Sequence, residues 1–432
     1  MRLRFSHLPL AIAVLALPLS LAGCGGGDSS GVQVPALQIT TTTEGTQPDP
    51  DGYTYSVDGG PAQPIGPDAT ATVEEIAAGE HSVELAGLAP NCSAGGTNPQ
   101  TIEVTANATA TVTFAVTCGE SPTGEWLPLT SGTSRQLTGV WGSSASDVFA
   151  VGESLEEVES GILHYDGQAW SEQLGSADLV LRAVWGASAT DVYAVGWQFD
   201  LGVGAILHYD GSQWQTVEGP VFDSGDEPSQ AFYSSVSGSS ASDVFLVGSV
   251  ATEVDPEQAV IAHYDGAAWS LMDVPSPQFL ALTDVSAGSA GDVYAVGTLP
   301  APDDEGATAL VVRYDGARWR EVLSQEGVDL EAIWAGPNGE AFAVGAEGAI
   351  WHSDGTSWSA MESPSSDNLS EVWGTSTTDV FAVGDQGTIL HYDGTEWSSA
   401  KPTDRPLFDI WGASGAGVFA VGDEGTILRN GQ

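Results

Sequence analysis

One pattern returns seven times between Val140 and the C-terminus, and it limits what this chain can fold into more than any other feature. Its fullest copy runs from Val372 to Trp397. It reads as an apolar strand ending in Trp-Gly, a Val-Phe-Ala-Val-Gly strand, an Ile-Leu-His-Tyr strand, and then Asp-Gly-Thr-Glu-Trp. The first tryptophan position is filled by Trp141, Trp185, Ser237, Ser286, Trp334, Trp373 and Trp411. Six third strands run into Asp-Gly-x-x-Trp, at Trp170, Trp214, Trp269, Trp319, Trp358 and Trp397, whereas the seventh stops at Asn430-Gly431-Gln432. A unit of this size cannot bury its apolar faces alone, so successive copies must stack on one another. What the seventh copy lacks stands before the first, as Gly124-Glu125-Trp126-Leu127-Pro128-Leu129. Joining the two ends completes a unit and leaves no free sheet edge.

The expectation is an all-β chain. Residues 123–432 would form a seven-bladed β-propeller closed by its N-terminal strand, and a small β-sandwich over residues 36–119 would precede it. Loop spacing then separates scaffold from function. From the first-strand Trp or Ser to the next strand (Asp147, Asp191, Asp243, Asp292, Glu340, Asp379, Gly417) the interval is six residues in all seven copies. From Asp166, Asp210, Asp265, Asp315, Asp354 and Asp393 to the following Trp it is four. One face therefore carries turns of constant length. Between second and third strands, from Gly152, Gly196, Gly248, Gly297, Gly345, Gly384 and Gly422, the intervals are 12, 12, 15, 16, 7, 7 and 7. The longest fourth-to-first connection, Gln215 to Ser234, belongs to the same half. Variation is gathered on one face over the first four copies, where a ring scaffold would carry a binding site.

The N-terminus reads as an export signal over residues 1–23. Arg2 and Arg4 precede an apolar run from Leu8 to Leu21, which is too short to span a bilayer and is interrupted by Pro9 and Pro18. The run ends in Leu21-Ala22-Gly23-Cys24, which resembles the lipobox of bacterial lipoproteins. That resemblance implies acylation of Cys24, a stable membrane anchor through acyl chains, and, with Gly25 following the cysteine, the outer membrane or cell surface. The glycine-rich stretch over residues 24–35 would be a flexible tether.

From Leu37 to Cys118 the pattern changes to short alternating strands, at Leu37–Thr42, Tyr53–Val57, Thr70–Glu74, His81–Leu85, Thr101–Val104 and Thr109–Thr117. Cys92 and Cys118 are an even pair in an exported chain, so a disulfide between them is the default. Asp49-Pro50-Asp51-Gly52 supplies hairpin-turn dihedrals and is read as a turn rather than a calcium loop. The segment resembles the Ig-like or PEGA-like modules that act as stalks in bacterial surface proteins.

Charge narrows the partners. The formal net charge is −48, and without the signal 8 basic side chains remain against 58 acidic ones, with Lys401 the only lysine. Nucleic acid and anionic lipid surfaces are poor partners for such a chain, and no nucleic-acid partner is expected. The recurring His164, His208, His263, His352 and His391, with Arg313 and Arg429 at the same place, invite a metal reading. One residue per sheet, on sheets packed about 10 Å apart, cannot converge on an ion, so bonds within the sheets are expected. The Asp-Gly pairs are turn formers, and the repeated tryptophans are packing between blades, except Trp197, which is read as sitting in a variable loop.

The repeats resemble tandem propeller repeats of bacterial surface proteins and, more distantly, WD-type and Asp-box propellers. Ser353-Asp354-Gly355-Thr356-Ser357-Trp358 comes nearest to an Asp box, with one residue fewer between Ser and Asp and between Asp and Gly. Sialidases with such boxes need an arginine cluster, for which the seven arginines after the signal offer little. The expected function is a monomeric, non-catalytic, lipid-anchored surface protein that presents a propeller for protein, glycan or cation binding, without a cofactor beyond a conceivable Ca2+. The alternative is a propeller-type hydrolase or lyase acting on extracellular polysaccharide. The candidate ligand face consists of Trp197, Phe199, Phe222, Asp226, Asp255, Asp303 and Asp304, with aromatics supplying desolvated contact and carboxylates favouring a divalent cation or a basic partner.

Overall fold

The structure, a computed structural model, describes residues 35–45, 52–74, 76–88, 92–118, 125–154, 159–199, 201–222, 230–251, 258–275, 281–299, 308–413 and 417–431. The signal, Cys24 and the tether up to residue 34 lie outside them, as does the Asp49–Asp51 part of the proposed turn. No helix among the described residues is long and apolar enough to cross a membrane.

The N-terminal unit is built from β1 (Ala36–Gly45), β2 (Tyr53–Val57), β3 (Gln63–Ile65), β4 (Thr70–Glu74), β5 (Gly79–Ala86), β6 (Cys92–Ala94), β7 (Gln100–Val104) and β8 (Thr109–Cys118). They form two four-stranded sheets, β4-β1-β8-β6 and β3-β2-β5-β7, with β1 and β8 parallel. Alternation places Val112, Phe114 and Val116 of β8 with Leu37 and Ile39 of β1, and these share one core with Tyr53, Val83, Leu85 and Val104 of the second sheet. β3 and β6 go beyond the strands read from sequence. Each has three residues, too few for alternation to show, and β3 contains Pro64. The register sets Cys92 directly opposite Cys118.

Residues 126–431 form seven further four-stranded antiparallel sheets among the described residues, one per sequence repeat. Their first strands are Gln136–Ser144, Leu179–Ser188, Gln230–Ser240, Ala281–Ser289, Leu330–Ala335, Leu369–Ser376 and Leu407–Ala413. Each first strand neighbours the next, and that of repeat seven neighbours that of repeat one, so the seven form a closed circle. The seventh sheet takes its fourth strand from β9 (Trp126–Leu129), with Asn430 paired to Trp126 and Ile427 to Leu129, as the sequence ends imply. The Val-Phe-Ala-Val strands are buried on both faces because every sheet is packed on both sides. Each core cluster is accordingly shared by two successive sheets; Leu137, Val148 and Ala150 of repeat one pack with Phe419, Val421 and Ile427 of repeat seven.

Two aromatic contacts repeat around the circle. Each fourth-strand tryptophan meets the second-strand ring of the preceding repeat edge-on: Trp170 meets Phe419, Trp214 meets Phe149, and the set is completed by Trp126 on Phe381. Such edge-to-face pairs add to the area they bury. The first-strand tryptophans act between neighbours in a different way. A Cβ placed on Gly186 would lie 2.6 Å from Trp141, one on Gly238 2.7 Å from Trp185, and one on Gly142 2.8 Å from Trp411. The indole of one repeat thus occupies the space that glycine leaves in the next. Where the indole is absent so is the glycine: Ser237 and Ser286 face Ala287 and Ala335, and each hydroxyl accepts the alanine N–H, at 3.1 and 2.9 Å.

Candidate functional site

The first strands line a central cavity of about 450 Å3. Each runs from the variable-loop face toward the constant-turn face and, in its early part, contains a bulge, between Leu137 and Gly139 in repeat one for example. The lumen is therefore layered. The bulge layer carries Arg182 and Glu331. One residue further the column reads Gly139, Ala183, Ser235, Asp284, Ala332, Glu371 and Asp409, and two residues beyond lies the tryptophan layer. At about 3.3 Å per residue, the last two layers are separated by roughly 7 Å.

Asp284 and Asp409 bridge repeats. Asp284 Oδ1 accepts from Ser235 Oγ at 2.6 Å and from its own neighbour Val285 N–H at 2.7 Å, while Oδ2 accepts from Ile333 N–H of the next repeat at 2.8 Å. Asp409 Oδ2 accepts from Val140 N–H and Oδ1 from Ile410 N–H, both at 2.6 Å. Glu371 differs. Its Oε1 accepts from Val372 N–H at 2.9 Å, and its other oxygen has no hydrogen-bond partner among the described residues. All three side chains are partly exposed to the lumen, yet the protein around them strips much of their hydration, and that loss dominates. Burial pushes Asp284 up to about 6 and Asp409 up to about 8, against their backbone hydrogen bonds. Burial, then the charges of Asp284 and Asp409, raise Glu371 well above the usual carboxylate range.

At the variable-loop rim Trp197 is the organising side chain. It lies near the end of the second strand of repeat two, Asp191–Gln198, paired with Val180 and Gly204, and not in a loop as the spacing suggests. Apolar and polar contacts hold it: Phe232 meets it edge-on at 5.5 Å, and the Arg182 guanidinium lies over its ring at 5.0 Å. Arg182 Nη1 is 3.2 Å from Oε1 of Glu153, a carboxylate only 7% exposed. Just beyond the strand, Phe199 is 55% and Leu201 63% exposed, and Val221 on the next connection is 86% exposed. Phe222 is partly buried and packs against the cluster that contains Tyr193 and Tyr233, whereas Phe199 stands exposed. Asp226, Asp255, Asp303 and Asp304 lie outside the described residues.

Four of the five recurring histidines bond within their own sheets; His352 does not, its Nε2 standing 3.9 Å from Glu340 and making no hydrogen bond among the described residues. His164, His208, His263 and His391 reach Asp147, Asp191, Asp243 and Asp379 at 2.5–2.8 Å, and Arg313 reaches Asp292 at 2.7 Å. Among the described residues no three His, Cys, Asp or Glu stand close enough to hold a metal ion. The Asp-Gly corners are turns: Asp393 Oδ1 accepts from the N–H groups of Thr395 and Glu396, with Gly394 at φ +91°.

The lumen carboxylates are absent from the sequence reading. The signal for them is the column two residues before the tryptophan position, small in four repeats and acidic in three.

A circle of four-stranded antiparallel sheets around a polar lumen, closed by the N-terminal strand, defines a β-propeller. No family model matches the sequence, and no curated protein does. Among solved structures, YCF48 bound to a D1 peptide is similar, with a TM-score of 0.53 and 16% identity over 72% of this chain and 99% of that one. YCF48 from Cyanidioschyzon merolae is similar too, with a TM-score of 0.50 and 13% identity over 71% and 98% of the two chains. At such identities the likeness is one of fold.

Proposed function

We propose that this chain is an exported, lipid-anchored protein of a bacterial outer membrane or cell surface, in which a β-sandwich stalk raises a seven-bladed propeller that binds another protein without catalysis. The anchor is the acylated Cys24, and a disulfide between Cys92 and Cys118 ties the last strand of the stalk. The partner sits on the long-loop face of blades one to four. One observation carries this reading: loop length varies only on that face, and there Phe199, Leu201 and Val221 are presented to solvent beside Trp197, Arg182 and Glu153. Exposed apolar side chains grouped on one rim mark a contact surface rather than a solvated edge. A propeller of similar fold is known with a D1 peptide bound, which supports a protein partner.

Site-specific photocrosslinking in the native envelope tests it. A crosslinker at Phe199 or Val221 is expected to capture a discrete protein, and the same group at Ser376 on the constant-turn face is not. Capture confined to position 376, or turnover of a polysaccharide that substitutions in the lumen abolish, would overturn the reading.

A further inference from the structure

The lumen brings three carboxyls to one layer without a matching cation. Facing Asp284, Glu371 and Asp409 from the seven first strands are only two other charged groups, Glu331 and Arg182. Arg182 is already committed to Glu153 and to the ring of Trp197. At these levels the remaining strands contribute neutral side chains. Asp284 and Asp409 spend both oxygens on backbone N–H groups, whereas Glu371, enclosed in the wall, leaves one oxygen free toward the cavity. About two residues further along, five indoles surround the same lumen, and their faces attract cations. A metal ion is a poor match, because among the described residues no three ligands converge. A larger cation, which needs carboxylates spread around its charged head and aromatic faces beyond it, matches the order of the layers from the rim inward.

We propose that the lumen at the level of Asp284, Glu371 and Asp409 takes one organic cation, an ammonium or guanidinium on a short aliphatic stem, carried by a lysine or arginine side chain of the partner. The inference rests on the protein-binding reading above and deepens it. A cation entering from the rim passes the bulge layer, where Arg182 is paired with Glu153, and ends beside the free oxygen of Glu371. Its arrival lowers the affinity of the three carboxyls for protons, so binding releases protons and tightens as pH rises. The relevant window is set by Asp284, at about 6, and Asp409, at about 8.

Calorimetric titration of the whole exported chain tests the site without needing the partner. The probes are Nα-acetyl-lysine methylamide, Nα-acetyl-arginine methylamide, putrescine and n-butanol, each at pH 6 and pH 8 in two buffers of different ionisation heat. The amino-acid probes are expected to bind, more tightly at pH 8, with proton release, while butanol does not. Glu371→Gln is expected to bind them about tenfold more weakly and release fewer protons. The idea fails if neither probe binds, if butanol binds equally, or if wild-type binding is independent of pH and releases no protons. Putrescine binding more tightly than both amino-acid probes would overturn the assignment to a partner's side chain. All but the variant comparison are wild-type measurements, so the outcome stands even if Glu371→Gln does not fold. Failure of the crosslinking experiment leaves this result unaffected.

Discussion

Replacing Gly186 by alanine tests the tryptophan–glycine relation at a single contact. The added Cβ would lie 2.6 and 2.7 Å from Cη2 and Cζ3 of Trp141 and 3.0 Å from the Asp191 carbonyl oxygen. Gly186 is not among the residues with positive φ, so the cost is one of space rather than of backbone conformation. Overpacking a core by one such group costs about 1–3 kcal/mol. Trp141→Ser alone removes the indole, at a cost toward the lower end of about 3–5 kcal/mol, since the ring borders the lumen. The double variant recreates a pair that the chain itself uses, Ser237 with Ala287 and Ser286 with Ala335, where the serine accepts the alanine N–H. Without the indole the new methyl group has room. The two changes should therefore couple favourably by about 1–3 kcal/mol, read from urea unfolding of the parent, both single variants and the double variant. A coupling below about 0.5 kcal/mol, or a Gly186→Ala protein as stable as its parent, would refute the argument.

Three further expectations follow from other parts of the chain. Trp126→Ala deletes the edge-on contact with Phe381 that closes the circle, and is expected to destabilise the whole propeller by about 3–5 kcal/mol; amide exchange that rises only in the closing strand would contradict closure. Cys24→Ser is expected to move the protein from the membrane to the soluble fraction, and persistent sedimentation with membranes would count against the acyl anchor. Because folding raises the pKa of Asp284, Glu371 and Asp409, the unfolded chain gives up those protons first, so their contribution to stability falls as pH rises from about 4 toward 8. Glu371→Gln should flatten that decline in a series of thermal melts, and an unchanged slope would show that the lumen carboxyls do not set it.

What the sequence displayed was whatever repeats. Strand order is repeated seven times, the Asp-Gly corners six and the in-sheet bond of His164 and its equivalents five, and Trp126 supplies the one strand that the seventh copy lacks; a repeated constraint is visible in one chain as it would be in an alignment. Trp197 was misplaced because only one repeat extends its second strand with a tryptophan, so no neighbouring copy corrected the reading. Phe222 resembled Phe199 in sequence, and only its packing against a buried cluster separates it from the exposed Phe199. The lumen carboxyls escaped for a related reason. An acid in a strand is first read as a solvated edge position, and the fact that this column faces a closed cavity depends on ring closure, which no local pattern encodes.

The departures from seven-fold repetition coincide, and that coincidence argues for one functional side of the ring. The indole is replaced by serine only in repeats three and four, the two with the longest intervals between second and third strands, 15 residues from Gly248 to His263 and 16 from Gly297 to Arg313. In place of those rings Ser237 and Ser286 line the lumen, in the layer beyond Asp284. Opposite them, in repeats five to seven, the same connections shrink to single turns, and these are so tightly covered that a Cβ on Gly348, Gly387 or Gly425 would lie about 2 Å from a carbonyl of the connection above. That half cannot rearrange around a partner, but it supplies Glu371 and Asp409 from a rigid wall. A fixed acidic wall facing an adaptable apolar rim is the arrangement a site needs when a charged side chain must be held in register while the surface around it adjusts to a larger partner. Selection for packing alone would have kept an indole in every repeat, because each replaced ring gives up packing against its neighbour.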